Sequence, residues 1–427
     1  MKTHIFAAWF VLFGQLAFGQ TWTQIPQTVS NNLSACWFSP LHPDTGYISG
    51  YSPIGGHAVP YVYKTTDGGM SLSYQSVSLG LNFLNPGNIT FVNDATGYLA
   101  GWGMIKTSDY GINWNITLDM GVAGGLLWDV QFISSDTGYC VGQSFLGSSG
   151  GAEGQFLTTY DAGGTWTSYF VSSEVNGEAT ELKEFARINA NDFLVGGINS
   201  NPGGPTLFIS HDEGHTWTTL NFTENIFSMT SASQSVVYIA AESGIYSVSQ
   251  NGTSISLVAP FTNSQLTSIR IKDSLGFATA YDGTILASGD NGNSWFQMIS
   301  PVQGTAVLNQ VCILNRYEAW AVGGAGTILH YNANSLPVSV SENVQHKGFT
   351  LSPVPANNNL RVHFSGEQLA HDANYEIKSM QGQLIQGGRL NSSGIIEIGT
   401  LKDGVYSVQI YNSSGSLNSA SYFIKSK

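Results

Sequence analysis

An eight-residue pattern, Thr/Ser-x-Asp-x-Gly-x-x-Trp, returns along this chain at intervals of about one small β-sheet, and a period of that length demands a repeat architecture. It runs from Thr107 to Trp114 with Asp109 and Gly111, and from Thr159 to Trp166 with Asp161 and Gly163. Further copies run from Ser210 to Trp217 with Asp212 and Gly214, and from Ser288 to Trp295 with Asp290 and Gly292. A weaker copy, Thr65 to Leu72 around Asp67, has Leu in place of Trp, and two eroded copies near Asn251 and Asn332 keep the surrounding plan. Seven repeats result. The steps between box positions from Asp67 to Asn332 are 42, 52, 51, 39, 39 and 42 residues. The short steps fit a four-stranded propeller blade of roughly 40–45 residues, and the long ones carry loop insertions.

Around each box the chain shows an apolar run, a turn ending in Gly-aromatic, a second short run, and a third run that enters the box. In the second repeat these are Ile89–Val92, Asp94–Gly101, Met104–Thr107 and then Trp114–Leu118. Alternating apolar residues between Gly and Asn/Asp turns predict short antiparallel strands, four to a repeat. The expected fold is therefore all-β: a seven-bladed β-propeller, followed by a small β-sandwich. Residues 21–25 look like the outer strand that follows a box, yet no box precedes them, while the seventh repeat lacks a fourth strand. The N-terminal segment is expected to supply it, which removes an exposed sheet edge.

The predicted organisation is a signal peptide at 1–19, a propeller at 20–334, a linker at 335–348 and a terminal β-sandwich at 349–427. Lys2, the apolar stretch Ile5–Leu12 and the small-x-small site Ala17-Phe18-Gly19 make the secretory signal. No later run approaches the roughly 18 apolar residues of a membrane span. Residues 20–333 hold 7 basic and 22 acidic side chains. Such a surface repels phosphate backbones, so nucleic acid is excluded as a partner. Cys36, Cys140 and Cys312 show neither a disulfide framework nor metal-ligand spacing. Cys36 and Cys312 fall in inner strands of blades expected to be neighbours, which leaves open either a bridge or buried free thiols.

A repeated carboxylate invites a catalytic or metal-binding reading, but five copies dispersed around a ring do not converge on one site. Asp67, Asp109, Asp161, Asp212 and Asp290 are read as structural, each accepting backbone N–H bonds in the hairpin between third and fourth strands. The Gly two positions later takes a positive φ, and Trp114, Trp166, Trp217 and Trp295 pack between blades.

This motif resembles the Asp-box, or BNR repeat, of sialidases and related propellers. The full repeat, over residues 21–334, is more similar still to the photosystem II assembly-factor family and its bacterial relatives. The sialidase resemblance implies three arginines on a substrate carboxylate, a Tyr–Glu nucleophile pair and an acid Asp. Only Arg187, Arg270 and Arg316 lie in the propeller, none in the first blades and none in an Arg-Ile-Pro motif. No catalytic residue is assigned, and the chain is read as a non-enzyme without cofactor or metal. Xyloglucan-cleaving propellers place their cleft between two propellers, and this chain has one.

The tail alternates as short strands at Leu360–Phe364, Tyr375–Ile377, Ile396–Ile398, Val405–Ile410 and Tyr422–Lys425. It resembles the C-terminal sorting domain of type IX secretion cargo in three stretches: Leu351–Asn357, Ile377–Leu384, and Leu401–Tyr406 running to Phe423–Lys425. Val354 stands where that family usually has Asn. The resemblance implies the type IX machinery as a partner through residues 349–427, with delivery to the cell surface or medium.

Loop insertions at Tyr51–Tyr61, Gly142–Gln155 and Gly196–Pro205 gather on the face opposite the boxes, and loops on a rigid scaffold often carry binding function. There Tyr51, His57, Tyr61, Trp102 and Phe145 are candidate ligand-binding aromatics, with Glu153, Glu242 and Asp282 as rim carboxylates. The expected function is a surface or secreted module that binds a protein or glycan. The alternatives are a glycoside hydrolase or lyase acting through paired rim carboxylates, and a structural or adhesive surface component.

Overall fold

In the computed structural model the described residues run from Trp22 to Lys425, omitting 55–56, 76, 78–85, 121–123, 145–152, 173–179, 200, 234–235, 250, 334–348, 353–355, 365–372, 380–383, 391–392, 403 and 412–416. The signal segment, the linker, Phe145, and the Pro353–Pro355 and Gln381-Gly382 parts of the tail match lie outside them. The chain divides into two compact units, one of them Trp22–Ala333 and the other holding the carboxy-terminal segment.

Seven four-stranded antiparallel sheets make up the first unit. Blade 1 comprises Asn32–Phe38, Gly46–Ile54, His57–Thr65 and Ser73–Gln75, from the inside outward. The inner strands of blades 2 to 6 are Ile89–Phe91, Gly125–Phe132, Thr180–Arg187, Ile226–Ser233 and Leu266–Lys272. Blade 7 is Leu308–Asn315, Glu318–Gly323 and Ile328–Asn332, and its outer strand is Trp22–Gln24 from the other end of the chain. Trp22 pairs with Tyr331 and Gln24 with Leu329. Trp22 also lies edge-on to Phe277 of blade 6 at 4.9 Å, so the closing strand is held by packing as well as by its three pairs.

The core is a series of interblade layers. One contains Tyr47 and Val62 of blade 1 with Ile89, Leu99 and Trp114 of blade 2; another contains Tyr98 and Met104 of blade 2 with Val130 and Leu157 of blade 3. Successive strand residues alternate between faces, so each blade feeds one layer on either side.

The box is an architectural device. In blade 3, Thr159 Oγ1 donates to Asp161 Oδ1 at 2.9 Å and accepts the amide of Gly163 at 2.9 Å. The amide and hydroxyl of Thr165 donate to the two oxygens of Asp161, each at 2.8 Å. The same set recurs at Asp67, Asp109, Asp212 and Asp290, with Ser71, Asn113, Thr216 and Ser294 as double donors. Bonds to the ionised form hold the carboxyls of Asp67, Asp109 and Asp161 below their usual range. At Asp212 slight burial opposes this, yet the Thr216 bonds bring it down to about 2. The eroded box keeps part of the set, because Asn251 Oδ1 accepts from the hydroxyls of Ser249 and Thr253.

One feature of the turn differs from the sequence-based expectation. The Gly does take a positive φ, +77° at Gly163 and +86° at Gly214, but the residue before it is left-handed too: Tyr110, Ala162, Glu213 and Asn291 lie at φ 58–62°. Two successive left-handed residues aim a carbonyl sideways into the preceding blade, where an aromatic meets it. Tyr47 and Tyr98 hydroxyls donate to the carbonyls of Tyr110 and Ala162 at 2.7 and 2.9 Å, and Trp320 Nε1 donates to that of Gly68 at 2.9 Å. Each donor is the aromatic residue near the start of a second strand, and each carbonyl belongs to the next blade's box. The last of these bonds crosses the seam between blades 7 and 1.

The second unit packs the sheet Phe349–Ser352, Asn359–Phe364, Ile395–Glu397 against the sheet Leu384–Arg389, Asn374–Ser379, Gly404–Tyr411, Leu417–Lys425. Leu360, Ile377, Ile396, Val408, Ile410 and Phe423 form its core, which makes it a small β-sandwich.

Candidate functional site

The inner strands carry an irregularity that fixes what faces the axis. In six of the seven, the pairing with the second strand slips by one residue near the strand's start, at Leu33/Ala35, Leu127/Asp129, Leu182/Glu184, Ile226/Ser228, Leu266/Ser268 and Leu308/Gln310. A β-bulge leaves one residue unpaired and re-aims its neighbours. The six bulged residues, Ser34, Trp128, Lys183, Phe227, Thr267 and Asn309, and the six that follow all line one hollow of about 380 Å³ at the axis. Asn88 takes the equivalent place in blade 2. All seven blades contribute, so the hollow is the mouth of the central channel, with Tyr51 and Ile198 of the second strands at its edge.

Within the mouth a polar network spans the ring. Arg270 Nη2 donates to Glu184 Oε1, and its Nη1 donates to Ser228 Oγ at 3.0 Å and to the Ile269 carbonyl at 2.8 Å. The Met229 amide donates to the other oxygen of Glu184. Asp129 accepts from Asn88 Nδ2 at 2.7 Å and from Gln131 Nε2 at 2.8 Å. Gln310 Nε2 donates to Asn88 Oδ1 at 3.0 Å, while its Oε1 accepts the Cys36 amide at 2.8 Å. Asp129 is 1% exposed. Burial, and then the Glu184 charge, push its carboxyl up to about 6 despite the opposing pull of Arg270.

Trp128 supplies the aromatic surface. The Lys183 ammonium sits 3.4 Å from its ring centroid and pairs with Glu181 at 2.6 Å. Burial lowers the Lys183 pKa although Glu181 opposes the shift. Among the described residues Trp128 Nε1 is buried without a hydrogen-bond partner. The hollow thus holds two of the propeller's seven basic residues against Asp129 and Glu184, so its own charge balances within a strongly acidic unit.

The sequence-derived rim residues are dispersed. Tyr51 lines the mouth. Tyr61 is 3% exposed, its hydroxyl donating to the carbonyls of Asn32 and Tyr51. His57 begins the third strand of blade 1, and Trp102 is half-buried between second and third strands of blade 2. Glu153 is half-buried at the start of a blade 3 strand, Glu242 is exposed and accepts from Asn225 Nδ2 at 2.8 Å, and Asp282 Oδ1 accepts the Thr284 amide at 3.0 Å within a turn. None of these carboxylates lines the mouth. Of the three arginines, Arg270 reaches the axis, Arg187 lies over the Phe193 ring, and Arg316 over that of Tyr317. Among the described residues no group of three or more His, Cys, Asp or Glu side chains is placed to hold a metal ion, and no helix is long and apolar enough to cross a membrane.

Residues 350–424 match the family of secretion system C-terminal sorting domains. That segment is the sorting domain of type IX secretion cargo, and it indicates export to the cell surface or beyond. No curated protein matches the chain. Among solved structures, YCF48 from Cyanidioschyzon merolae superposes with a TM-score of 0.55 at 17% identity, covering 73% of this chain and 98% of that one. YCF48 bound to D1 peptide gives 0.53 at 15% identity, covering 73% and 94%. The GH74 xyloglucanase of Xanthomonas campestris gives 0.53 at 12% identity, covering 84% of this chain and 58% of its own. At these identities the likeness establishes the β-propeller fold and leaves function to the site.

Proposed function

We propose that this protein is an exported binding module that holds a protein or glycan ligand at the mouth of its central channel. The observation that supports the reading is the ring of bulges, which turns side chains from every blade onto one hollow. Bulges are frequent where a strand must re-aim a side chain toward a site. Asn32, Asn309, Gln310 and Gln265 line the hollow with uncharged amides; Gln310 uses one donor on Asn88 and one acceptor position on Cys36 and keeps a second of each, Asn309 keeps its Oδ1, and the Trp128 indole offers the ring face that the Lys183 ammonium leaves uncovered. Neutral amides beside an aromatic surface suit a glycan best, because sugar hydroxyls need both donors and acceptors and the sugar ring packs on an aromatic face. A peptide main chain shares the first requirement, and YCF48, of the same fold, has been solved with a peptide bound. The type IX tail supplies the route to the place of action.

A catalytic reading has one observation in its favour, a carboxyl raised to about 6 beside a second carboxylate. It is the weaker reading because both Asp129 oxygens are taken by Asn88 and Gln131, and both Glu184 oxygens by Arg270 and Met229.

The test is retention and turnover of the exported protein on a broad glycan array, with products followed by mass spectrometry. Retention that is lost in Trp128→Ala supports the site. Retention unchanged in Trp128→Ala and Gln310→Ala sinks it. Cleavage abolished in Asp129→Asn would establish the catalytic reading instead.

A further inference from the structure

The ring closes at one seam, between blade 7 and blade 1, and the chain crosses that seam only through the three-residue outer strand Trp22–Gln24. At the inner strands the same seam brings together two sulfurs 276 positions apart in sequence: Cys36 Sγ lies 3.1 Å from Cys312 Sγ. The two strands are pinned on the same side of the pair, since the Cys36 amide donates to Gln310 Oε1 at 2.8 Å and Asn309 Nδ2 donates to the Leu33 carbonyl at 2.7 Å. Cys36 is buried and Cys312 is half-buried, and both line a second hollow of about 230 Å³ further along the axis. Cys140, the third thiol, lies in a different interblade layer, with residues of blades 2 and 3, and has no sulfur partner.

We propose that Cys36 and Cys312 form a disulfide that locks the propeller ring covalently after export. Fixed neighbouring strands already hold the sulfurs near bonding range, so about 1 Å of approach makes the bond of roughly 2.05 Å. The donor is a disulfide of the cell envelope, carried by a thiol oxidase or by a small molecule. The Cys312 thiolate, the more exposed of the two, attacks it and releases one thiol, leaving a mixed disulfide. Cys36, having lost its proton, then attacks Cys312 Sγ and expels the second thiol. Two protein thiols are oxidised and one donor disulfide is reduced to two thiols, so atoms and electrons balance. An exported chain meets an oxidising compartment, which a cytosolic one does not. A metal reading has no support, as no third ligand joins the pair among the described residues.

The experiment uses full-length protein exported by a type IX-competent host and collected without reductant. It is unfolded in guanidinium with iodoacetamide, digested and mapped by mass spectrometry before and after reduction. The expected result is complete alkylation of Cys140 and recovery of Cys36 and Cys312 in one cross-linked peptide that separates on reduction. Alkylation of Cys36 and Cys312 without reductant overturns the proposal. Reductant is expected to lower the wild-type Tm by about 5 °C, from the usual worth of a cross-link that closes a long loop. It should leave Cys36→Ala/Cys312→Ala unmoved, with Cys312→Ser, at the more exposed position, as the milder variant if the double one fails to fold. An equal response in wild type and variant overturns the locking role.

Discussion

The hydroxyl of Tyr47 in blade 1 donates at 2.7 Å to the carbonyl of Tyr110, the left-handed residue in the box of blade 2. That bond couples two devices that look independent in sequence, the Gly-aromatic turn of one repeat and the Asp-box of the next. Tyr47 also stacks on Phe91 at 4.0 Å, so Tyr47→Phe removes the bond and keeps the packing. The substitution is expected to cost about 1 kcal/mol, the usual net worth of one such bond. Tyr98→Phe, in the next seam, is expected to cost the same, and the two costs to add because the sites are separate. Denaturant midpoints check this; a Tyr47→Phe protein as stable as wild type would show that Lys64, which reaches the same carbonyl at 3.1 Å, suffices.

Box glycines differ from loop glycines in a way that alanine substitution can read. Gly214 has φ +86° and an added Cβ would fall 2.4 Å from the Phe156 ring of the preceding blade. Gly304 has φ +74° with nothing among the described residues within 4 Å of its Cβ position. Gly304→Ala is expected to cost about 1 kcal/mol, the left-handed strain alone. Gly214→Ala adds a clash with a buried ring and is expected to cost about 3 kcal/mol or more. Comparable losses in thermal or denaturant unfolding would mean that the box turn can shift away from Phe156.

The repeat made the architecture legible, because seven boxes, the Gly-aromatic turns and the orphan strand near Trp22 each encode a local geometry with a residue signature. Two features escaped. In four boxes the additional left-handed residue is Tyr110, Ala162, Glu213 or Asn291, of which only Asn favours a positive φ; in blade 1 it is Gly68. The bulges escaped because they are a property of pairing between strands. A trace of them is nonetheless present: Asn88, Asp129 and Glu184 stand nine residues before the second strands that begin at Gly97, Gly138 and Phe193, and Ser228, Ser268 and Gln310 stand eight, seven and eight before those that begin at Val236, Leu275 and Glu318. A polar residue shortly before the second strand, interrupting an apolar run, is the mark of a side chain turned to the axis. The rim aromatics stand out in the sequence because long loops are conspicuous, whereas the mouth of the channel is built from short strands that look like core.

Asp129 gives the channel a pH signature. Its folded-state carboxyl stands near 6, above the roughly 3.9 of an unfolded chain. Between those values the folded protein holds a proton that the unfolded chain has released, so this group's stabilisation is present below about pH 4 and is lost as pH rises through 6. Asp129→Asn cannot ionise. Its stability relative to wild type is therefore expected to rise between pH 4 and pH 7 by on the order of 2 to 3 kcal/mol, whatever fixed offset the amide introduces. Unfolding curves at the two pH values measure the difference directly, and a constant offset would place the Asp129 carboxyl in its usual range.

The Arg270–Glu184 pair tests whether the axis network holds the ring together. Glu184 is 6% exposed, and without Arg270 its charge keeps only the Met229 amide and the repulsion of Asp129. Arg270→Met is expected to destabilise the propeller by about 3 to 5 kcal/mol, the range for stranding one member of a buried pair. Glu184→Gln leaves the guanidinium beside Asp129, whose opposite charge offsets part of the loss, so its cost is expected to be smaller. Combining Arg270→Met with Glu184→Gln removes the two desolvated charges together and is expected to cost less than the sum of the single changes. A double-mutant cycle by chemical denaturation reads the coupling, and strict additivity would mean that the two side chains are stabilised independently. The asymmetry between the single variants carries the argument, because only a network that includes Asp129 makes loss of the cation worse than loss of one anion.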